Sequence, residues 1–306
     1  MKIDILYIQT KDKLRLQGVY YEPEEKNTCV LFIHGMSGNF IENYFGHIVG
    51  KYLSNKGLAF IYAHNRGYNH INDIATQEVK DDGGYKTVRN GAVFERFKEC
   101  IYDIDEWIKK CEELEYKNII LVGHSLGCNK VIYYLSKKIP KSVKGLILAS
   151  PPDMVGLVKK PDYQPNYEEL LKEAKKNLKN SKPQKILSIK IWDWHYLSSQ
   201  TFLDLFEEGG AADNLPVLRS PDKFPQLAKI DIPILGIMGK HDDIAIKTLK
   251  EDLDLIASKA TNCPSFSKQF IKDGNHNYER QEKSFAETIY NWVEKLMKKY
   301  EQHLSI

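Results

Sequence analysis

The sequence predicts an α/β fold: a mostly parallel, doubly wound central sheet with helices on both faces. Three observations predict it. Short apolar runs recur without polar alternation, the pattern of parallel strands buried on both faces. Stretches of helical periodicity lie between them. Their succession, strand then helix then strand, is the signature of a layered α/β domain.

The elements follow in order. Ile3–Gln9 and Lys13–Tyr21 are β-rich runs separated by Thr10, Lys11 and Asp12, and they predict an antiparallel hairpin. The N-terminal run lacks an apolar segment with a cleavage site, so it reads as a strand rather than a signal peptide. Buried strands are expected at Cys29–Ile33, Leu58–Ala63, Asn118–Val122, Gly145–Ala149, Ile234–Met238 and Ser267–Ile271. Helices are expected at Tyr44–Leu53, Ala92–Lys109 and Leu126–Ser136. Phe285, Ile289, Trp292, Val293, Leu296 and Met297 form one face of a last helix. Between Asp153 and Asp231 no buried strand is evident; the stretch is helical in places (Tyr167–Leu178), then aromatic (Ile189–Phe206). The expected organisation is a core of residues 1–153 and 232–306, with 154–231 inserted as a cap over the C-terminal edge of the sheet. The loop Tyr68–Asn90 is expected to be a solvated insertion.

Composition bounds the function classes. At 306 residues, the chain suits one α/β domain with an insertion. Hydrophobic residues at 42% and charged residues at 28% indicate a globular chain rather than a disordered or membrane one. The net charge of +3 comes from Lys and Glu mixed along the chain, so no nucleic-acid partner is expected. No apolar run approaches the roughly 20 residues that span a bilayer. Five cysteines, an odd number without a C-x-x-C pair, suit reduced thiols and a cytoplasmic location. Neither a phosphate-binding glycine motif nor a metal-ligand cluster is present, so no cofactor and no metal are expected.

The strongest local signal is Gly123-His124-Ser125-Leu126-Gly127, set between an apolar strand and a helix. That is the context a G-x-S-x-G nucleophile elbow requires. A sharp strand-to-helix turn strains the serine backbone and exposes its hydroxyl, while the helix N-terminus faces developing negative charge. With this motif in place, the chain resembles the α/β-hydrolase superfamily over nearly its whole length, least in the expected cap. The resemblance implies an α/β-hydrolase fold and a triad in the chain order Ser, acid, His. Asp242, in Gly239-Lys240-His241-Asp242 after the fifth buried strand, stands where such enzymes carry the acid. His276, in Gly274-Asn275-His276 after the sixth, stands where they carry the base. Asp243 and Asp153 remain alternatives for the acid.

His34-Gly35-Met36 ends the first buried strand. By resemblance, the oxyanion hole takes the backbone N–H of Met36 and of Leu126. His34 is read as bonding loop backbone, with substrate contact as the sharper alternative. Arg66, in Asn65-Arg66-Gly67, is read as structural and paired with an acid such as Glu95, with contact to a substrate anion as the sharper alternative. That segment and Gly91–Asp105 are also similar to hydrolases that include fungal siderophore-ester hydrolases, implying a hydrolysable natural product. In the aromatic stretch, Trp194 and Tyr196 are candidate substrate contacts, and His195 is read as a hydrogen-bonded cap residue. The same aromatics could equally form the cap's own core.

The expected activity is serine hydrolysis of a carboxylic ester of small or medium size through an acyl-enzyme. Amide or thioester hydrolysis or acyl transfer would use the same apparatus. A non-catalytic relative that binds a small ligand is the alternative of another class. The expected partner is a small acyl substrate, and the chain is expected to be a monomer or homodimer.

Overall fold

The computed structural model describes residues 2–304. Eight strands form one sheet in the order β1-β2-β4-β3-β7-β8-β9-β10. β1 (Lys2–Gln9) and β2 (Arg15–Glu22) make the expected antiparallel hairpin, and β2 runs antiparallel to β4 (Leu58–Ala63). From β4 onward every pairing is parallel, through β3 (Thr28–Ile33), β7 (Asn118–His124), β8 (Val143–Ala149), β9 (Ile234–Gly239) and β10 (Phe266–Ile271).

The apolar runs explain why these strands lie inside. Side chains alternate across a strand, so an unbroken apolar run feeds both faces. Cys29, Leu31 and Ile33 of β3 join one core, and Val30 and Phe32 join the other. The first core is closed by α2 (Cys100–Glu113), α3 (Leu126–Leu135) and α7 (Leu249–Lys259). The second is closed by α1 (Phe45–Asn55) and α8 (Glu282–Leu304). β10 departs from expectation: only Ile271 is fully buried, because β10 is an edge strand with one neighbour.

Two stretches depart from the sequence expectation. The loop expected at 68–90 contains a second, two-stranded sheet of β5 (Asn72–Val79) and β6 (Tyr85–Asn90). The helix expected from Ala92 starts at Cys100, after a short 3₁₀ turn at Phe97–Glu99. Arg96 ahead of that turn is extended at φ −98°, ψ 111°, and Glu95 turns inward to an ion pair described below.

Residues 154–231 hold α4 (Met154–Lys159), α5 (Tyr167–Lys179) and α6 (Ser199–Phe206), and no named strand among the described residues. Apolar side chains between Met154 and Ala212 form a third cluster, which also takes in Met36 and Leu126 from the sheet's C-terminal edge, whereas Leu215, Val217, Phe224, Leu227 and Ile230 join the first core. The part from Met154 to Ala212 therefore packs against that edge. All five cysteines are free, four of them buried. Among the described residues no helix is long and apolar enough to cross a membrane.

Candidate active site

Ser125 stands at the turn from β7 to α3, with φ 54° and ψ −130°. A non-glycine residue held there costs on the order of 1–3 kcal/mol. The turn is held by Ser125 N–H donating to the Ala149 carbonyl at 2.9 Å. Gly127 explains why the motif ends in glycine: a Cβ there would lie 2.2 Å from the Ile33 carbonyl oxygen. The start of α3 and the end of β3 can only approach this closely without a side chain at that point.

The turns after β9 and β10 obey the same constraint. A Cβ on Gly239 would lie 2.2 Å from the Gly274 carbonyl oxygen, so these two turns touch backbone to backbone. That contact brings Asp242 to His276, whose Nδ1 lies 2.9 Å from Asp242 Oδ1. Nδ1–H donates to the carboxylate, which leaves the Nε2 lone pair free. Burial pushes the Asp242 pKa up, but the hydrogen bond and charge of His276 outweigh it and hold the carboxyl below its ordinary value. The His276 carbonyl in turn accepts from His124 Nε2–H at 2.8 Å and from the Ser150 hydroxyl at 3.5 Å. His124 therefore ties the loop that carries His276 to the serine turn.

Ser125 and His276 line one cavity of about 490 Å³. Among the described residues no hydrogen bond joins the Ser125 hydroxyl to His276; such contacts commonly tighten only with substrate bound. Met36 and Leu126 line the same cavity. Leu126 is the first residue of α3, so its N–H has no acceptor within the helix. Met154, Leu157 and Trp192 supply an apolar wall, and Asn39, Asn43 and His70 a polar one.

Not every expected residue reaches the cavity. Trp194 lines it, but Tyr196 does not and is 45% exposed beside Lys190. His34 lies behind the wall: its Nδ1 is 2.8 Å from the Gly35 carbonyl, and its Nε2 accepts from Asn65 N–H at 3.1 Å. Burial, then the charge of Lys130, drives its pKa well below the ordinary value, so it is a neutral brace. Of the alternative acids, Asp243 lines the cavity without bonding the imidazole. Asp153 caps α4 through Gly156 N–H at 2.7 Å and accepts from Leu218 N–H at 2.8 Å.

Arg66 does not pair with Glu95. It bonds Asp103 at 2.8 Å, Asp12 at 2.8 Å and Glu99. Glu95 instead meets Lys130 at 2.6 Å, both fully buried. Lys130 also donates to Asn65 Oδ1 at 2.8 Å, and Asn65 Nδ2 donates to the His34 carbonyl at 3.1 Å. A buried polar chain thus runs from Glu95 to the loop that carries Met36. Sequence reading missed Lys130, because a lysine on a helix normally faces water. The ligand atoms of Asp242, Asp243 and His276 lie within 4.8 Å of one another, the one such trio among the described residues. A cation there would compete for the Asp242–His276 hydrogen bond.

A family model described as the alpha/beta hydrolase fold matches residues 28–279. No curated protein matches the chain by sequence. Among solved structures it is similar to Est1E from Butyrivibrio proteoclasticus, at 18% identity and TM-score 0.62, covering 96% of this chain and 98% of that one. It is similar to the alpha/beta hydrolase GrgF from Penicillium sp. sh18, at 14% identity and TM-score 0.64, covering 98% and 99%. Carboxylesterase CesB from Bacillus subtilis matches at 15% identity and TM-score 0.57, over 97% and 92%.

Proposed function

The chain belongs to the α/β-hydrolase fold family, and from that premise we propose that it is a serine hydrolase that cleaves a carboxylic ester through an acyl-enzyme. One observation carries the reading. A serine at a positive-φ turn shares a cavity with an imidazole whose other nitrogen is bonded to a buried carboxylate. The carboxylesterase among its structural neighbours supports the choice of ester chemistry.

Each group then has a defined task. Ser125 Oγ attacks the carbonyl carbon as its proton passes to His276 Nε2. Asp242 fixes the tautomer and stabilises the imidazolium that forms. The Met36 and Leu126 N–H groups receive the oxyanion, each worth about 3 kcal/mol of barrier. The bond to the alcohol oxygen breaks, and His276 returns its proton to that oxygen. A water then gives a proton to His276 and attacks the acyl carbon, releasing the acid and returning the proton to Ser125. Residues 154–231 act as the cap that shapes the pocket.

Hydrolysis of p-nitrophenyl acetate and butyrate tests the proposal. Wild type should turn over, and Ser125→Ala should lose on the order of 10⁶ in kcat. Equal rates for the two proteins would remove it. Products partitioning to an added alcohol would point to acyl transfer instead.

A further inference from the structure

Ser37 follows Met36, and the reaction above makes no use of its side chain. Its backbone sits at φ 53°, bridged to Tyr68, with its carbonyl accepting from Asn69 N–H at 3.2 Å. That bracing, rather than local preference, sets where the hydroxyl stands. Ser37 lines the cavity shared by Ser125 and His276. From the insertion, His195 Nε2 approaches Ser37 Oγ to 3.4 Å.

His195 is 1% exposed, and its Nδ1 is buried with no hydrogen-bond partner among the described residues. The His70 ring lies 4.0 Å away. Burial, then His70, lowers the His195 pKa to about 4, so the ring is neutral near pH 7. A neutral imidazole carries one N–H. Orphaned buried N–H groups are rarer than orphaned acceptors, which places the hydrogen on Nε2 and leaves the bare lone pair at Nδ1. His195 then donates to Ser37 Oγ, and the Ser37 hydroxyl proton is left to donate elsewhere, one residue beyond Met36 N–H.

We propose that the Ser37 hydroxyl is a third hydrogen-bond donor to the substrate carbonyl oxygen, aimed by His195. The inference rests on the acyl-enzyme reading. It makes Ser37 a catalytic residue and His195 a positioning residue, and no bond to Ser37 forms or breaks.

The test measures kcat, KM and Tm on p-nitrophenyl butyrate for wild type, Ser37→Ala, Ser37→Thr, His195→Ala and the Ser37→Ala/His195→Ala double variant. Ser37→Ala should lower kcat about a hundredfold with KM and Tm little changed. Ser37→Thr, which keeps a hydroxyl, should recover most of the rate. The double variant should be no slower than Ser37→Ala, because His195 acts through the hydroxyl. Ser37→Cys, a weak donor of similar shape, should also be slow, and it decides the matter if Ser37→Ala does not fold. Full kcat in a folded Ala or Cys variant, a loss confined to KM, or losses that multiply in the double variant would overturn the inference. An inactive wild type would overturn the parent reading and this one with it; an active wild type indifferent to Ser37 would overturn this one alone.

Discussion

The turns after β7, β9 and β10 and the insertion of residues 154–231 build one cavity by opposite means. Each turn carries one side chain of the proposed triad, and backbone contact fixes it: with no side chain at Gly127 the start of α3 meets the end of β3, and with none at Gly239 the turn after β9 meets Gly274. The insertion contributes walls instead, by packing α4 to α6 and the aromatic strap around Trp192 against the sheet edge. Geometry held by backbone contact tolerates almost no change, whereas a packed wall can be reshaped. Chemistry is therefore assigned to the turns and, His195 apart, substrate choice to the insertion.

The largest expected effect falls on the turns. Asp242→Asn should lower kcat by about 10⁴, while Asp243→Asn and Asp153→Asn leave it within about tenfold. A comparable loss from either neighbour would move the acid and break the assignment.

A smaller effect concerns the tie between turns. Burial, then nearby His276, lowers the His124 pKa from 6.5 to about 4. A histidine lowered on folding stabilises the protein above its unfolded-state pKa, and that contribution is lost as pH falls through the folded value. Stability should therefore drop between pH 6.5 and about 4, and His124→Gln should flatten the drop by up to about 3 kcal/mol. Chemical denaturation across that range would read it, and parallel curves for both proteins would contradict it.

The smallest effect should come from the wall. Trp192→Ala should change KM among esters of differing acyl length by about tenfold and leave kcat on acetate nearly intact. A uniform collapse of kcat would show that the insertion does more than select.

The same contrast explains what sequence made legible. The turn that bears Ser125 is marked by glycines and by the end of an apolar run, and the resemblance to α/β-hydrolases points to Asp242 and His276 after two further strands. The strands were readable because a run such as Cys29–Ile33 must feed two cores. What failed depended on contacts distant in sequence. Arg66 pairs with Asp103 and Asp12 rather than Glu95, because Lys130 on α3 claims Glu95. α7 carries little sequence signal, since little more than Leu253 and Ile256 marks its apolar face among charged residues. β5 and β6 are largely exposed and carry little hydrophobic signal. In the strap, Trp192 and Trp194 face the cavity while Tyr196 does not. Trp192 and Asp193 both adopt positive φ, and that kink defeats any periodic reading.

The most direct test of the central claim is to label the protein with a fluorophosphonate and locate the adduct by peptide mass spectrometry. The account predicts one stoichiometric adduct on Ser125, with labelling abolished in Ser125→Ala and slowed by several orders of magnitude in His276→Ala. An adduct on another residue, or labelling of Ser125 at an unchanged rate without His276, would contradict it.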